Sequence, residues 1–88
     1  MRESQKLVRV YSTAICPYCD MAKRLLSQLE LEYENIDAAD PQSDAAALMK
    51  KHSWFTVPMI FIGEDFIGGF DELNALNQNG KLAVLLTT

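Results

Sequence analysis

The feature that most constrains this chain is Cys16-Pro17-Tyr18-Cys19, which holds its only two cysteines. It follows an apolar run and opens a helical pattern. Pro17 favours the first position of a helix, so Cys16 is expected at the N-cap and Cys19 one turn inside. Positions i and i+3 share a helix face, so the two sulfurs can meet as a dithiol or a disulfide. At the N-cap, free backbone N–H groups and the positive end of the helix dipole favour a thiolate on Cys16. Such a placement lowers a cysteine pKa from about 8.5 towards roughly 3.5–7.5 and makes a nucleophile at neutral pH. A zinc site is a poorer reading, because a full set of Cys and His ligands is required and the chain adds only His52. A purely structural disulfide is poorer too, since so short a loop constrains the unfolded chain little. The pair reads as redox-active.

A chain of 88 residues leaves room for one domain, spanning 1–88, with one core. The composition, 49% hydrophobic and 23% charged, is that of a folded chain rather than a disordered one. A net charge of −4 without a basic run argues against nonspecific nucleic-acid binding. Residues 1–6 are polar and expected to fray, and the next apolar run, Leu7 to Tyr11, is too short for a secretory signal. Nothing approaches the roughly 18 apolar residues of a membrane span. The expected setting is the reducing cytosol, where a Cys-x-x-Cys pair is more often catalytic than structural.

Hydrophobic periodicity gives the element order. Leu7 to Tyr11 alternates and reads as a central strand, with Val8 and Val10 on one face and Leu7, Arg9 and Tyr11 on the other. From Pro17 to about Leu29 the period is helical, with Ala22, Leu25, Leu26 and Leu29 on one stripe and Met21 beside it. Leu31 to Ile36 alternates with acidic residues and predicts an edge strand. A strand, a helix and a strand in succession predict a right-handed parallel crossover. Asp40-Pro41 predicts a second helix start, and Lys50, Lys51 and His52 suit its C-terminal dipole, which gives His52 a structural role. Trp54 and Phe55 suit either a cap on the core or a surface that packs against substrate. Pro58 precedes a buried strand, Met59 to Ile62; Gly63 to Asp65 turns the chain into a partner strand beginning at Phe66-Ile67. Gly68-Gly69 ends that strand and opens a helix from Phe70 or Asp71 to Asn79, with Gly80 as its C′ residue. Leu82, Leu85 and Leu86 predict a short final helix. The order β-α-β-α-β-β-α gives a four-stranded mixed sheet with helices on both faces, a thioredoxin-like α/β fold.

From Leu7 to Leu86 the sequence resembles a glutaredoxin of the dithiol kind. Three motifs carry the likeness in order and spacing: Cys16-Pro17-Tyr18-Cys19, Thr56-Val57-Pro58 and Gly68-Gly69-Phe70-Asp71. The resemblance implies a glutathione-dependent oxidoreductase in which Cys16 attacks a disulfide or glutathionylated thiol and Cys19 resolves the mixed disulfide. Glutathione is implied as reducing co-substrate, with no tightly bound cofactor and no metal. Tyr18, Thr56, Val57, Pro58, Gly69, Phe70 and Asp71 are implied as its binding residues, Pro58 in the cis form. Val57 would pair its backbone with the cysteinyl part. The helix start at Gly69 and Phe70 would hold the γ-glutamyl carboxylate, and Asp71 its ammonium. The implied partners are oxidised or glutathionylated proteins, with a monomeric enzyme. A dedicated protein-disulfide reductase, serving for example ribonucleotide reductase with weak use of glutathione, is the alternative, and an iron–sulfur carrier a lesser one.

Three positions depart from the pattern. Thr13 stands where many glutaredoxins carry Lys or Arg, and counting back from Thr56 puts Ala45 where a basic or amide residue helps hold the glycyl carboxylate. Gln42, Lys50 and Lys51 are the candidate substitutes. Asp20 adds a negative charge beside the thiols. Cys16 therefore relies mainly on the helix N-terminus for its thiolate.

Overall fold

The computed structural model describes residues 5–87. Its elements are β1 (Val8–Ser12), α1 (Pro17–Gln28), β2 (Tyr33–Asp37), α2 (Ala45–His52), β3 (Met59–Ile62), β4 (Asp65–Gly68), α3 (Phe70–Gln78) and α4 (Lys81–Thr87). The strands form one mixed sheet in the order β2-β1-β3-β4. β1 and β2 run parallel, while β1–β3 and β3–β4 are antiparallel. This is the thioredoxin-like layout expected from the sequence, with β1 inside and the acidic β2 on an edge.

Alternation along β1 divides the core in two. Val8 and Val10 join Ile60 and Ile62 under Ala22 and Leu26 of α1, Leu73 of α3 and Leu82 and Leu86 of α4. On the opposite face Tyr11, Met59 and Phe61 pack with Ala45, Leu48 and Met49 of α2. All four residues of β3 are buried, because helices cover both of its faces.

The ends of α1 and α2 show why local signals shifted some boundaries. Glu30 adopts a left-handed conformation with φ 58°, and the N–H of Leu31 donates to Leu26 O at 2.9 Å. Together with the Glu30 N–H to Ser27 O bond at 3.0 Å this is a Schellman cap. Leu31 is thereby spent on ending the helix, so β2 starts at Tyr33 rather than Leu31. Asp40-Pro41 does not start α2. The Asp40 side chain accepts from the Gln42 N–H at 2.9 Å and its carbonyl from the Ser43 N–H at 3.0 Å, so these residues build a turn with proline at its second position. The helix begins at Ala45 with Asp44 as N-cap.

At the hairpin, β4 begins at Asp65, one residue before the expected Phe66, because Asp65 pairs with Ile62 across a Gly63-Glu64 turn. Pairing then steps from Phe61–Phe66 to Ile60–Gly68, which leaves Ile67 as a bulge. Gly68 follows at φ +118°, a conformation that side chains rarely adopt. It turns the chain from the sheet into α3. The fraying expected for residues 1–6 falls partly outside the described residues, and Gln5 and Lys6 are tied down. Lys6 N–H donates to Leu86 O at 2.8 Å, and the Gln5 amide donates to Glu32 O at 3.0 Å.

One polar network anchors α2 to the sheet. The Tyr11 hydroxyl donates to Asp44 Oδ1 at 2.7 Å and accepts from Arg9 Nη1 at 3.1 Å. The Arg9 guanidinium lies 5.0 Å from the Phe61 ring centroid. Asp44 thus gives its carboxylate to Tyr11 and makes no side-chain cap bond to its own helix. Burial, and next the bond to Asp44, push the Tyr11 phenol up from 10.0 to about 12. Because the fold favours the neutral phenol, its contribution is fully present below pH 10 and is lost as pH rises through about 12. We expect Tyr11→Phe to cost about 1–2 kcal/mol at neutral pH. Denaturant midpoints measured across pH 10 to 12 should fall less steeply for Tyr11→Phe than for the wild type.

Candidate active site

The β1–α1 loop delivers the cysteine pair at the carboxyl end of a central strand, where sites in open α/β sheets collect. Cys16 is extended, with φ −153° and ψ 97°, and is the N-cap of α1 with Pro17 next. Its Sγ accepts the N–H of Cys19 at 3.1 Å. Cys16 and Cys19 form a disulfide across 5.2 Å between Cα atoms. Cys19 is fully buried, whereas Cys16 is half-buried. An incoming sulfur therefore meets Cys16, and Cys19 is placed to resolve the product.

Two other segments complete the surroundings. The Val57–Pro58 peptide is cis, as the family resemblance implies, and Val57 O lies 3.7 Å from Cys16 Sγ. The start of α3 approaches from the other side, with Gly69 as its N-cap. Glycine has no side-chain oxygen to cap with, so only the reciprocal half of a capping box forms, Glu72 Oε1 accepting the Gly69 N–H at 2.9 Å. Between these walls lies an open groove of about 420 Å³, lined by Tyr18, Trp54, residues 56–58 and residues 69–72. That volume falls within the roughly 300–1,000 Å³ of small-molecule sites. The rings of Tyr18 and Phe70 face each other at 6.4 Å across one end.

Tyr18, Thr56, Val57, Pro58, Gly69, Phe70 and Asp71 thus all border one groove beside Cys16 and Cys19. Glu72 was not singled out in the sequence; the signal for it was its position three residues after the helix-capping glycine. The two readings of Trp54 and Phe55 divide between them. Trp54 packs on Phe66 at 5.6 Å and also lines the groove, whereas Phe55 is 72% exposed. His52 lies in the last turn of α2, where it suits the helix dipole as expected, and in addition stacks on Phe66 at 4.5 Å.

Ala45 is buried against Tyr11, Met59 and Phe61, so that position contributes core packing. Thr13 lies with Lys23, Asn35 and Asp37 around a separate depression of about 290 Å³. Gln42, Lys50 and Lys51 do not line the groove, whose charged side chains are Asp71 and Glu72.

A fold of this kind with a cysteine pair capping its first helix defines a thiol–disulfide oxidoreductase. The glutaredoxin family model matches residues 8–67. A glutaredoxin of Pseudomonas aeruginosa is 42% identical over 80 residues, covering 91% of this chain and 95% of the relative. The solution structure of glutaredoxin from Brucella melitensis superposes with a TM-score of 0.83 at 39% identity, covering 100% of this chain and 96% of that one. The crystal structure of a buckwheat glutaredoxin–glutathione complex gives 0.80 at 38% identity, covering 91% and 76%. The chain belongs to the glutaredoxin family.

A close approach fixes the groove floor. A Cβ at Gly69 would lie 3.2 Å from Trp54 Cζ2 and 3.5 Å from Pro58 O. Gly69→Ala should therefore push the start of α3 from the 54–58 loop, costing about 1–3 kcal/mol in denaturant unfolding.

Proposed function

We propose that the protein is a glutathione-dependent oxidoreductase that reduces protein disulfides and glutathionylated mixed disulfides. The observation that carries this reading is the groove between the 56–58 loop and the N-terminus of α3, whose Val57 carbonyl lies 3.7 Å from Cys16 Sγ. The Cys16 thiolate attacks one sulfur of the substrate disulfide, forming a new S–S bond and expelling the other sulfur as a thiolate that takes a proton from solvent. The Cys19 thiolate then attacks Cys16 Sγ, releases the second substrate thiol and closes the Cys16–Cys19 disulfide. Two electrons have passed to the substrate. One glutathione thiolate reopens the pair by bonding to Cys16, and a second attacks that glutathionyl sulfur to leave as glutathione disulfide. With a glutathionylated substrate, Cys16 takes the glutathionyl sulfur directly.

Glutathione fits this groove with its cysteinyl backbone along Val57 and its γ-glutamyl carboxylate at the free N–H groups of the first turn of α3. Asp71 would pair with its ammonium. The buckwheat relative solved with glutathione supports the co-substrate, and no tightly held cofactor is required. The same reading makes the protein a monomer of a reducing compartment such as the cytosol. A protein-disulfide reductase for a dedicated partner such as ribonucleotide reductase, using glutathione weakly, is the second reading. No Lys or Arg is among the described residues lining the groove, which favours it, because glutathione carries two carboxylates.

Wild type and Cys19→Ser should both accelerate glutathione-dependent reduction of a small mixed disulfide, and Cys16→Ser should fall to the uncatalysed rate. Equal activity of Cys16→Ser and wild type would remove Cys16 as nucleophile. Stopped-flow reduction by a thioredoxin reductase with none by glutathione would overturn the glutathione assignment in favour of the second reading.

A further inference from the structure

Six large apolar side chains stand exposed among the described residues, and four of them belong to the segments that carry the redox pair and the groove. Ile15 is 94% exposed, Phe55 72%, Tyr18 58% and Met21 39%. Ile15 directly precedes Cys16. Phe55 stands two residues before Val57, whose carbonyl lies 3.7 Å from Cys16 Sγ, and two residues of chain span at most about 7 Å. None of the four joins either core cluster, so the core is built without them. Single exposed apolar residues are ordinary, but a group of them around a reactive sulfur marks a contact surface.

The size of the occupant follows from where these side chains lie. A ligand the size of a tripeptide fills the groove, and Ile15, Met21 and Phe55 are not among the residues lining it. Covering them takes a ligand that extends beyond the groove, as a polypeptide does. Charge gives its second property. Asp20 and Asp71 are exposed, Asp20 next to Cys19 and Asp71 on the groove wall. Of the cations nearby in sequence, Arg9 bonds to Tyr11 and Gly63 and Lys23 lines the depression beside Ser12 and Asn35, while Arg24 stands exposed on α1 four residues after Asp20 and leaves Asp71 as the carboxylate without a neighbouring cation in sequence.

We infer that this face docks an extended, cysteine-bearing segment of a partner protein, with apolar side chains flanking the target sulfur and a Lys or Arg facing Asp71 on the groove wall. The inference rests on Cys16 as the attacking thiol and deepens the protein-reducing half of the proposed function. It concerns the partner's sequence around the disulfide and is independent of which reductant restores the dithiol.

The test is a single-turnover reaction of the pre-reduced protein with two disulfide-linked peptides of equal length. One carries Leu and Lys beside the cysteines, the other Ser and Glu; hydroxyethyl disulfide is the small probe. The Leu/Lys peptide should react at least tenfold faster than the Ser/Glu peptide, equivalent to about 1.4 kcal/mol. Part of that preference should disappear as salt is raised. The double variant Ile15→Ser/Phe55→Ser should lose most of the preference and keep its rate with hydroxyethyl disulfide within about twofold, because small disulfides do not reach those side chains. Equal rates for the two peptides in the wild type would overturn the inference. So would parallel losses on peptide and small probe, or self-association of the wild type that the double variant abolishes, since the face would then serve a second copy of this chain. No glutathione takes part, so failure of the glutathione assignment leaves these outcomes unchanged and is seen in the donor comparison instead.

Discussion

The hydrogen bond from the Cys19 N–H to Cys16 Sγ, 3.1 Å long, joins the chemistry of this protein to its architecture. A helix start leaves backbone donors unsatisfied, and most helices meet one of them with an oxygen from Ser, Thr, Asp or Asn. Here a sulfur takes that place. The group that reacts is therefore also the group that caps α1, and the same donors that it satisfies favour its negative charge. Thr13 in the β1–α1 loop and Asp20 one residue beyond Cys19 add no positive charge of their own. The activation of Cys16 is local, and it depends on α1 beginning where it does.

Everything that positions α1 consequently positions the reaction. Ala22 and Leu26 lock the helix on Val8, Val10, Ile60 and Ile62, and Cys19 on the same helix is fully buried. Just ahead of β3 the chain brings the Val57 carbonyl to Cys16 Sγ, and the bulge at Ile67 with Gly68 turns the chain into α3, whose N-terminus lines the groove. On the other face, the Arg9–Tyr11–Asp44 network secures α2, whose C-terminal His52 and following Trp54 pack on Phe66. Trp54 then reaches the groove floor under Gly69. The groove is the meeting point of elements held from both halves of the core.

Much of this was legible in the residues, for physical reasons. Pro17 after Cys16 fixed a helix start, because proline lacks the donor that a first helical position does not use. The continuous apolar run of β3, bounded by Pro58 and Gly63, reads as a buried strand, and the acidic alternation of β2 suits an edge. The signals that failed were those with two local uses. Asp-Pro opens a turn as readily as a helix, and the turn won because Asp40 could accept from both Gln42 and Ser43. Leu31 looked like the first residue of a strand, yet its N–H was claimed by Leu26 O in the cap of α1. Long-range pairings such as Lys6 with Leu86 and Tyr11 with Asp44 leave no periodic trace at all. The three motifs that meet around the groove are each tied to backbone geometry: a helix cap, a cis proline and a helix start.

The activation of Cys16 rests on its place as the cap of α1. In Cys19→Ser the backbone donor at position 19 persists and Cys16 is the one thiol left to titrate. The decisive measurement is the pH titration of its thiolate absorbance in the folded protein and in denaturant. A folded midpoint clearly below the unfolded one is the result predicted here. A folded midpoint equal to or above it would contradict the claim that the start of α1 activates Cys16.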